Sequence, residues 1–244
     1  MEAFSICLAG LPISIQTSYS LTKELCADYL TDAPPAFSVA VSDADIVREQ
    51  EYSIREAIME GLQPIRYTED YLESIAVYRA IAEQLPSYQA AVFHSAVIAV
   101  DGAAYLFTAK SGTGKTTHIR LWQELFGDRA QVVNGDKPIV RLIDSKLFAC
   151  GTPWSGKEEM HTNQMVPIRG ISILERDTVN HIEKIPASSA LPILMQQIYR
   201  PRDTQSMRLT VQLLSQILSL NCIYCLGCNM DIEAARVAYE GMKP

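Results

Sequence analysis

The sequence predicts an α/β fold, with a mixed, partly antiparallel sheet and flanking helices over residues 67–244 and a small α/β appendage over residues 1–66. Three observations carry this prediction. Residues 109–117, Ala-Lys-Ser-Gly-Thr-Gly-Lys-Thr-Thr, form a glycine-rich loop between two recognisable elements. Before it, an apolar run at 103–108 reads as a buried strand; after it, residues 116–126 show helical apolar spacing that stops at Gly127. Second, the strand-like runs 91–100 and 103–108 are separated only by Asp101-Gly102, the dipeptide that favours a tight hairpin turn. The strand entering the loop is therefore expected to lie antiparallel to its predecessor, unlike the parallel βαβ units in which such loops usually sit. Third, short apolar runs alternate with helical patterns through the rest of the chain, without an internal repeat.

In the first 66 residues the pattern offers strands at 4–8 and 13–15, a helix near 21–30, a strand at 37–41 and a mostly polar stretch at 43–60. Pro34-Pro35 and Gly61-x-x-Pro64 punctuate it. Residues 68–85 carry apolar side chains at helical intervals behind Thr68, an N-cap candidate, and Pro86 ends the run. This helix is expected to join the appendage to the second domain. After the loop helix come a short strand at 131–133 ending in Asn134-Gly135-Asp136, a hairpin of 139–143 and 147–150 around Asp144-Ser145-Lys146, and a loop at 151–160 (GTPWSGKEEM). A strand at 166–174, helices at 187–199 and 203–220, a strand at 222–226 and a helix at 232–239 complete the pattern.

The spacing Gly112-x-Gly114-Lys115-Thr116 turns unhindered backbone amides toward an anion, sets one lysine beside the β- and γ-phosphates of a nucleotide and offers a hydroxyl to Mg²⁺. Ser111, Gly112, Thr113, Gly114, Lys115, Thr116 and Thr117 are thus the candidate nucleotide-binding residues, and ATP and Mg²⁺ the ligands they imply. The first loop position is Ala109 rather than glycine. Alanine accepts an extended backbone but not a positive φ, so the loop must turn at Gly112 and Gly114. Phosphoryl transfer also asks for a carboxylate, as metal ligand or base. Asp136, at the end of the strand after the loop helix, stands where that acid belongs, and with Thr116 it forms the candidate metal pair.

His94, on the strand before the hairpin turn, has two readings: a packing residue, or, through strand alternation, a catalytic group beside the phosphates and Lys115. Lys157, Arg169, Arg200 and Arg202 are candidates for contacting anionic substrate groups, Lys157 foremost because it lies between Gly156 and two acids in a loop after a strand. Trp154 either stacks on a ligand or packs in the core. Cys222, Cys225 and Cys228 supply three soft ligands where four are usual, so the expected role is that of small buried hydrophobes on a strand.

A net charge of −7 and an isoelectric point near 5.2 argue against a nucleic-acid partner. The chain shows no basic n-region at its start and no uninterrupted apolar run long enough for a bilayer, so a cytoplasmic location without membrane attachment is expected. Six scattered cysteines fit a reducing compartment better than a disulfide framework.

With these residues in view, the stretch from about Ala91 to Arg202 resembles the superfamily of HPr kinase/phosphorylase and ATP-dependent phosphoenolpyruvate carboxykinase. Residues 111–117 look like the carboxykinase form of the loop, while the His94 strand, the hairpin and the distance from His94 to Lys115 look like HPr kinase. The resemblance implies a phosphoenolpyruvate carboxykinase-like P-loop core with ATP and Mg²⁺ as ligands. It also implies a pair of aspartates after the loop helix that handle Mg²⁺ and the acceptor hydroxyl. Here that pair reads Gly135-Asp136, leaving Asp136 alone to inherit the role. Lys137-Pro138 and residues 151–157 look like smaller HPr-kinase-related proteins. The expected function is transfer of the γ-phosphate of ATP to a hydroxyl on a small protein, peptide or metabolite. A catalytically impaired ATP-binding regulatory module is the alternative, and a carboxykinase is disfavoured because such enzymes are much longer chains.

Overall fold

The computed structural model describes residues 2–59, 61–110 and 112–243, so Ser111, one of the candidate loop residues, lies outside the described residues. The chain forms two compact units, Met1–Gln84 and Leu85–Pro244.

In the first unit β1 (Glu2–Leu8) and β2 (Leu11–Thr17) form a hairpin around Ala9 and Gly10, both at positive φ. After the short helix α1 (Leu21–Leu25), β3 (Phe37–Ala40) pairs parallel to β2. Ile6 and Leu8 on β1 and Ile13 and Ile15 on β2 are fully buried, the period-two signature of a sheet covered on one face. Residues 43–59, read above as a mostly polar stretch, form a helix, α2 (Asp43–Met59). Only Ile46 and Glu49 of α2 are buried, so the sequence carries little apolar periodicity to reveal it.

The next helix, α3 (Glu69–Gln84), packs against α1, α2 and β3. Its buried Glu73 accepts the backbone N–H groups of Ser18 and Tyr19 at 2.6 and 3.0 Å, and its Arg79 donates to buried Glu49 of α2 at 2.9 Å. The unit boundary therefore falls after residue 84 and not after residue 66. A three-stranded sheet cannot hide its apolar face alone, and α3, which packs against β3, buries Leu72, Val77 and Ile81.

The second unit holds β4 (Ala90–Val92), β5 (Ala96–Val100), β6 (Ala103–Thr108), α4 (Lys115–Phe126), β7 (Ala130–Asn134), β8 (Ile139–Ile143) and β9 (Lys146–Cys150). β10 (Met165–Arg176), β11 (His181–Lys184), α5 (Ala187–Gln197), α6 (Thr204–Ser219), β12 (Ile223–Cys228) and α7 (Ile232–Met242) follow. The strands form one curled mixed sheet in the order β4-β8-β9-β10-β6-β5-β7, with β12 beside β10 and β11 beside β12. β5 and β6 are antiparallel around Asp101-Gly102, both at positive φ, as that dipeptide requires. On its other side β6 runs parallel to β10. The second hairpin, β8–β9, turns at Asp144 and Ser145, again both at positive φ.

Three departures from the sequence reading bear on function. The run 91–100 is two strands: β4 pairs with β8, β5 pairs with β6 and β7, and the chain changes partners across Phe93–Ser95. His94 therefore sits at a break, not within a regular strand. The helix expected to reach residue 199 stops at Gln197, because Ile198 leaves it to bridge Phe93. β11 was not foreseen, since its residues are exposed or half-buried and show no apolar alternation. No helix among the described residues is long and apolar enough to cross a membrane.

Candidate functional site

The candidate site forms where three strand ends meet, and the pairing registers say why they meet. β6 and β7 both run antiparallel to β5, so both reach their C-terminal ends beside the start of β5. Ala96 faces Phe107 and Val97 faces Asn134, which sets residues 108–109 and 135–136 around His94 and Ser95. The junction is sewn by hydrogen bonds: Ser95 N–H to Asp136 O at 2.9 Å, Thr108 Oγ1–H to His94 O at 2.9 Å, and His94 N–H to Gln197 O at 2.7 Å.

From this junction the chain leaves β6 through buried Ala109, turns at Gly112 (φ 75°) and Gly114 (φ 124°), and enters α4 at Lys115. A Cβ added to Gly112 or Gly114 would meet nothing within 4 Å, so what favours glycine there is the backbone conformation and not packing. The first N–H groups of α4 have no partner within the helix and, with the helix dipole, face the loop as an anion-attracting end.

Lys115 extends from that end to within 3.2 Å of His94 Nε2, and the same Nε2 lies 3.4 Å from Asp136 Oδ1. Burial of the Lys115 ammonium draws its pKa below the ordinary lysine value, with Asp136 opposing the shift. For Asp136 burial pushes the carboxyl up. The hydrogen bond from His94, with the charges of Lys137, His94 and Lys115, outweighs that push and holds it below the usual carboxylate value. Asp136 is thus an ionised acceptor beside the His94 ring.

The carboxylate is aimed from behind by Asn134, a fully buried residue read from sequence only as part of a turn. Asn134 Oδ1 accepts the N–H groups of Asp136 and Lys137 at 2.9 and 2.7 Å, and its Nδ2 donates to the Thr152 carbonyl and hydroxyl oxygens, both at 3.0 Å. Gly156, at φ 81°, lets the 151–160 loop close on Asp136: a Cβ there would stand 3.0 Å from the Asp136 Cβ. Gly135 is confined as well, since a Cβ at that position would lie 3.1 Å from the Ser155 carbonyl oxygen. The site is therefore built around one carboxylate, and a side chain at residue 135 would require the Ser155 carbonyl to give way by a few tenths of an ångström.

His94, Gly112, Gly114, Lys115, Thr116, Thr117 and Asp136 line one cleft of about 430 Å³, together with Gly135, Ser155, Gly156, Lys157 and Glu158. The cleft thus gathers the catalytic candidates, most of the loop candidates and Lys157. Thr113 lines two further clefts on the loop's other side. Arg169, Arg200 and Arg202 are not brought to these clefts. Arg169 is exposed at the bulge between Ile168 and Gly170 of β10, alongside Ala104 and Tyr105 at the far end of β6. Residues 197–199 run back along β4, with Ile198 bridging Phe93 and Tyr199 N–H bonding Val92 O, so exposed Arg200 and Arg202 are carried away from the loop. Trp154 is buried. On β12 the alternation of side chains sends Cys225 to the face opposite Cys228, and Cys222 precedes the strand, so the three thiols do not converge.

One residue that sequence reasoning missed is Arg176, at the end of β10. Its guanidinium donates to the carbonyl oxygens of Gly112 at 2.6 Å and Thr113 at 3.3 Å, holding those peptides with their oxygens turned toward β10. The pairing of Ile173 with Thr108 brings Arg176 beside the loop, a proximity 64 residues distant in sequence.

Thr116 and Asp136 share the cleft and supply one hydroxyl and one carboxylate. That is a fitting donor set for Mg²⁺, which keeps several waters and takes one or two carboxylates plus substrate phosphates.

No protein-family model matches the chain, and no curated protein sequence matches it. Among solved structures the chain is similar to the HPr(Ser) kinase/phosphatase from Coxiella burnetii, at 13% sequence identity and a TM-score of 0.29, over 53% of this chain and 94% of that one. At that level the likeness is one of structure alone and carries no functional weight.

Proposed function

We propose that the chain is an ATP-dependent phosphotransferase that moves the γ-phosphate of ATP to a hydroxyl on a small protein, peptide or metabolite, in the manner of the HPr kinases its motifs resemble. The observation that carries this reading is the sharing of His94 Nε2 by Lys115 (3.2 Å) and Asp136 (3.4 Å) inside the cleft at the N-terminus of α4. Loop amides and helix end take the phosphates, and Lys115 is drawn off His94 onto the β- and γ-phosphates. Asp136 accepts the proton of the acceptor hydroxyl. The acceptor oxygen forms its bond to the γ-phosphorus as the bond to the bridging oxygen breaks, leaving ADP. His94 steadies the Asp136 carboxylate and, once Lys115 has moved, is placed to pass the proton on. Thr116 and Asp136 would hold Mg²⁺, which would supply charge neutralisation at the phosphates. Lys157, which lines the same cleft, favours an acceptor that carries a negative charge near its hydroxyl.

Calorimetry of ATP binding with and without Mg²⁺, followed by ADP release, tests this on wild type, Lys115→Ala and Asp136→Asn. The expected result is Mg²⁺-dependent binding lost in Lys115→Ala, with ADP release lost in both variants. Turnover surviving both substitutions would sink the proposal. A second reading, an ATP-binding regulatory module without catalysis, is favoured by the confinement of Gly135, which leaves a single acid. It predicts tight binding with no ADP release from any acceptor.

A further inference from the structure

Three clefts adjoin the loop, and among their described lining residues each carries one buried side-chain polar atom with no hydrogen-bond partner: Ser155 Oγ in the cleft of Asp136, Gln197 Oε1 in a cleft of about 750 Å³, and His118 Nδ1 in a cleft of about 470 Å³. Such an atom costs stability unless something completes it. The His118 case is chemically the most defined. His118 lies one turn into α4, 2% exposed, with its ring edge-on to Phe107, and Trp122 Nε1–H donates to its Nε2 at 3.0 Å. An imidazole nitrogen that accepts is unprotonated, so the neutral ring must carry its proton on Nδ1. Burial drives the His118 pKa down to about 3, which keeps the ring neutral and the tautomer fixed. Nδ1–H is thus a buried donor without a partner, on a residue that lines the cleft.

The rest of that wall suits a flat apolar ligand. Leu174 and Cys228 line it, and Met230, 81% exposed, projects at its rim, a polarisable side chain with nothing of this chain to cover. Its polar members are already committed: Arg176 to the loop carbonyls, Asp177 Oδ1 to the Thr178 and Val179 N–H groups, Asn229 to Asn180 and Thr178. The cleft opens directly onto Gly112, Gly114 and Thr117, so a ligand whose phosphates rest on the loop can enter it without leaving them. The 750 Å³ cleft shares Arg176 with it and adds Lys110 and Glu175, two charges that an uncharged ring would have to desolvate.

We infer that the 470 Å³ cleft holds a purine base between Leu174 and Met230 and that His118 selects it by donating Nδ1–H to a ring nitrogen. The inference rests on the loop's taking a triphosphate, and it assigns the nucleoside to the side of α4 opposite Asp136. The test compares ATP, CTP and inorganic tripolyphosphate by calorimetry on wild type, Lys115→Ala, His118→Phe and Gln197→Leu. Wild type is expected to bind ATP at least about tenfold tighter than CTP or tripolyphosphate, and His118→Phe to lose about tenfold for ATP while its tripolyphosphate affinity stays put. Loss of ATP affinity in Gln197→Leu instead, or equal loss of ATP and tripolyphosphate in His118→Phe, overturns the inference. Tripolyphosphate that fails to bind wild type at all, or binds Lys115→Ala equally well, overturns the loop reading itself, so the two failures are distinguishable. His118→Phe leaves Trp122 Nε1–H unpaired and can fail to fold. The ¹⁵N resonances of the wild-type His118 ring then decide: a protonated Nδ1 that shifts with ATP and not with tripolyphosphate supports the inference, and an Nδ1 indifferent to ATP refutes it.

Discussion

His94 and His118 lie beside the same loop and are put to opposite uses. The His94 side chain, 38% exposed, stands where the chain changes sheet partners, with a lysine and a carboxylate both within 3.4 Å of one nitrogen. His118, buried at the side of a cleft, packs against Phe107 and Trp122 and accepts from Trp122 within α4. The first can trade protons with its neighbours. The second is held to one neutral tautomer, accepting at Nε2 and leaving Nδ1–H as its donor. The difference lies in position relative to the strand ends: His94 sits at the junction where β5 starts and β6 and β7 stop, where backbone and charges converge, while His118 faces the packed side of α4. Polarity at the junction makes chemistry available, and burial on the helix makes recognition specific.

The sharpest way to break this contrast is Asp136→Asn, which removes the charge that His94 faces and leaves His118 untouched. Phosphate transfer is expected to fall by about 10³-fold, the range of a lost general base, with ATP affinity changed only several-fold. Because the Asp136 pKa lies below 3.8, the carboxylate stays ionised through mildly acidic pH. Rates of wild type should accordingly show no loss attributable to this group until the pH falls below that value. An Asn variant with a wild-type transfer rate would remove Asp136 from the chemistry.

Next in size is Asn134→Ala. The substitution strips the acceptor from two backbone N–H groups and the donor from Thr152, in a fully buried position, so Asp136 loses its aim as well as its support. A misplacement near 1 Å costs on the order of 10²-fold in rate, and the orphaned groups cost about 2 kcal/mol or more in stability. Urea titration together with single-turnover transfer would separate the two. Rates that fall no further than the loss of folded protein requires would reduce Asn134 to a purely structural residue.

Much of the site was readable because its information is local. Gly112, Gly114 and Lys115 are read from nine consecutive residues, and Asp101-Gly102 announces a turn whose geometry the backbone adopts. Asp136 is reached by counting one strand past the loop helix. What was not readable depends on pairings far apart in sequence. Arg176 meets the loop only because β10 lies beside β6, and Arg200, near in composition to a phosphate-binding group, is drawn away because Ile198 bridges Phe93. Helix α2 escaped notice because only Ile46 and Glu49 of it are buried, and α3 was assigned to the wrong unit because helical periodicity shows that a face is buried without showing against what. Apolar spacing reports burial; it does not name the partner.

Arg176→Ala probes the side of the loop nearer His118. Its two hydrogen bonds hold the Gly112 and Thr113 peptides, but the guanidinium is exposed, so water can replace part of what is lost. ATP affinity is expected to weaken by about three- to tenfold, with the transfer rate of the bound complex nearly unchanged. A fall in the maximal rate at saturating ATP would instead mean that Arg176 leaves the carbonyls and works on the phosphates.

The smallest effect at neutral pH is also the cleanest test of what burial has done to His118. In the unfolded chain its imidazole titrates near 6.5, and in the folded unit only near 3. Between those values the unfolded state binds a proton that the folded state refuses. This contribution to stability is therefore fully present above pH 6.5 and is lost as the pH falls, at up to about 1.4 kcal/mol per pH unit. Asp136 and the other depressed carboxylates add a loss of the same sign, but only as the pH approaches 3.8 and below. Urea midpoints between pH 6.5 and 5 thus isolate the histidine. His118→Gln, which keeps an acceptor for Trp122 and cannot titrate, should flatten the wild-type slope in that window. A slope that survives His118→Gln would show that the ring does not stay neutral on folding, and the tautomer argued for the purine cleft would fall with it.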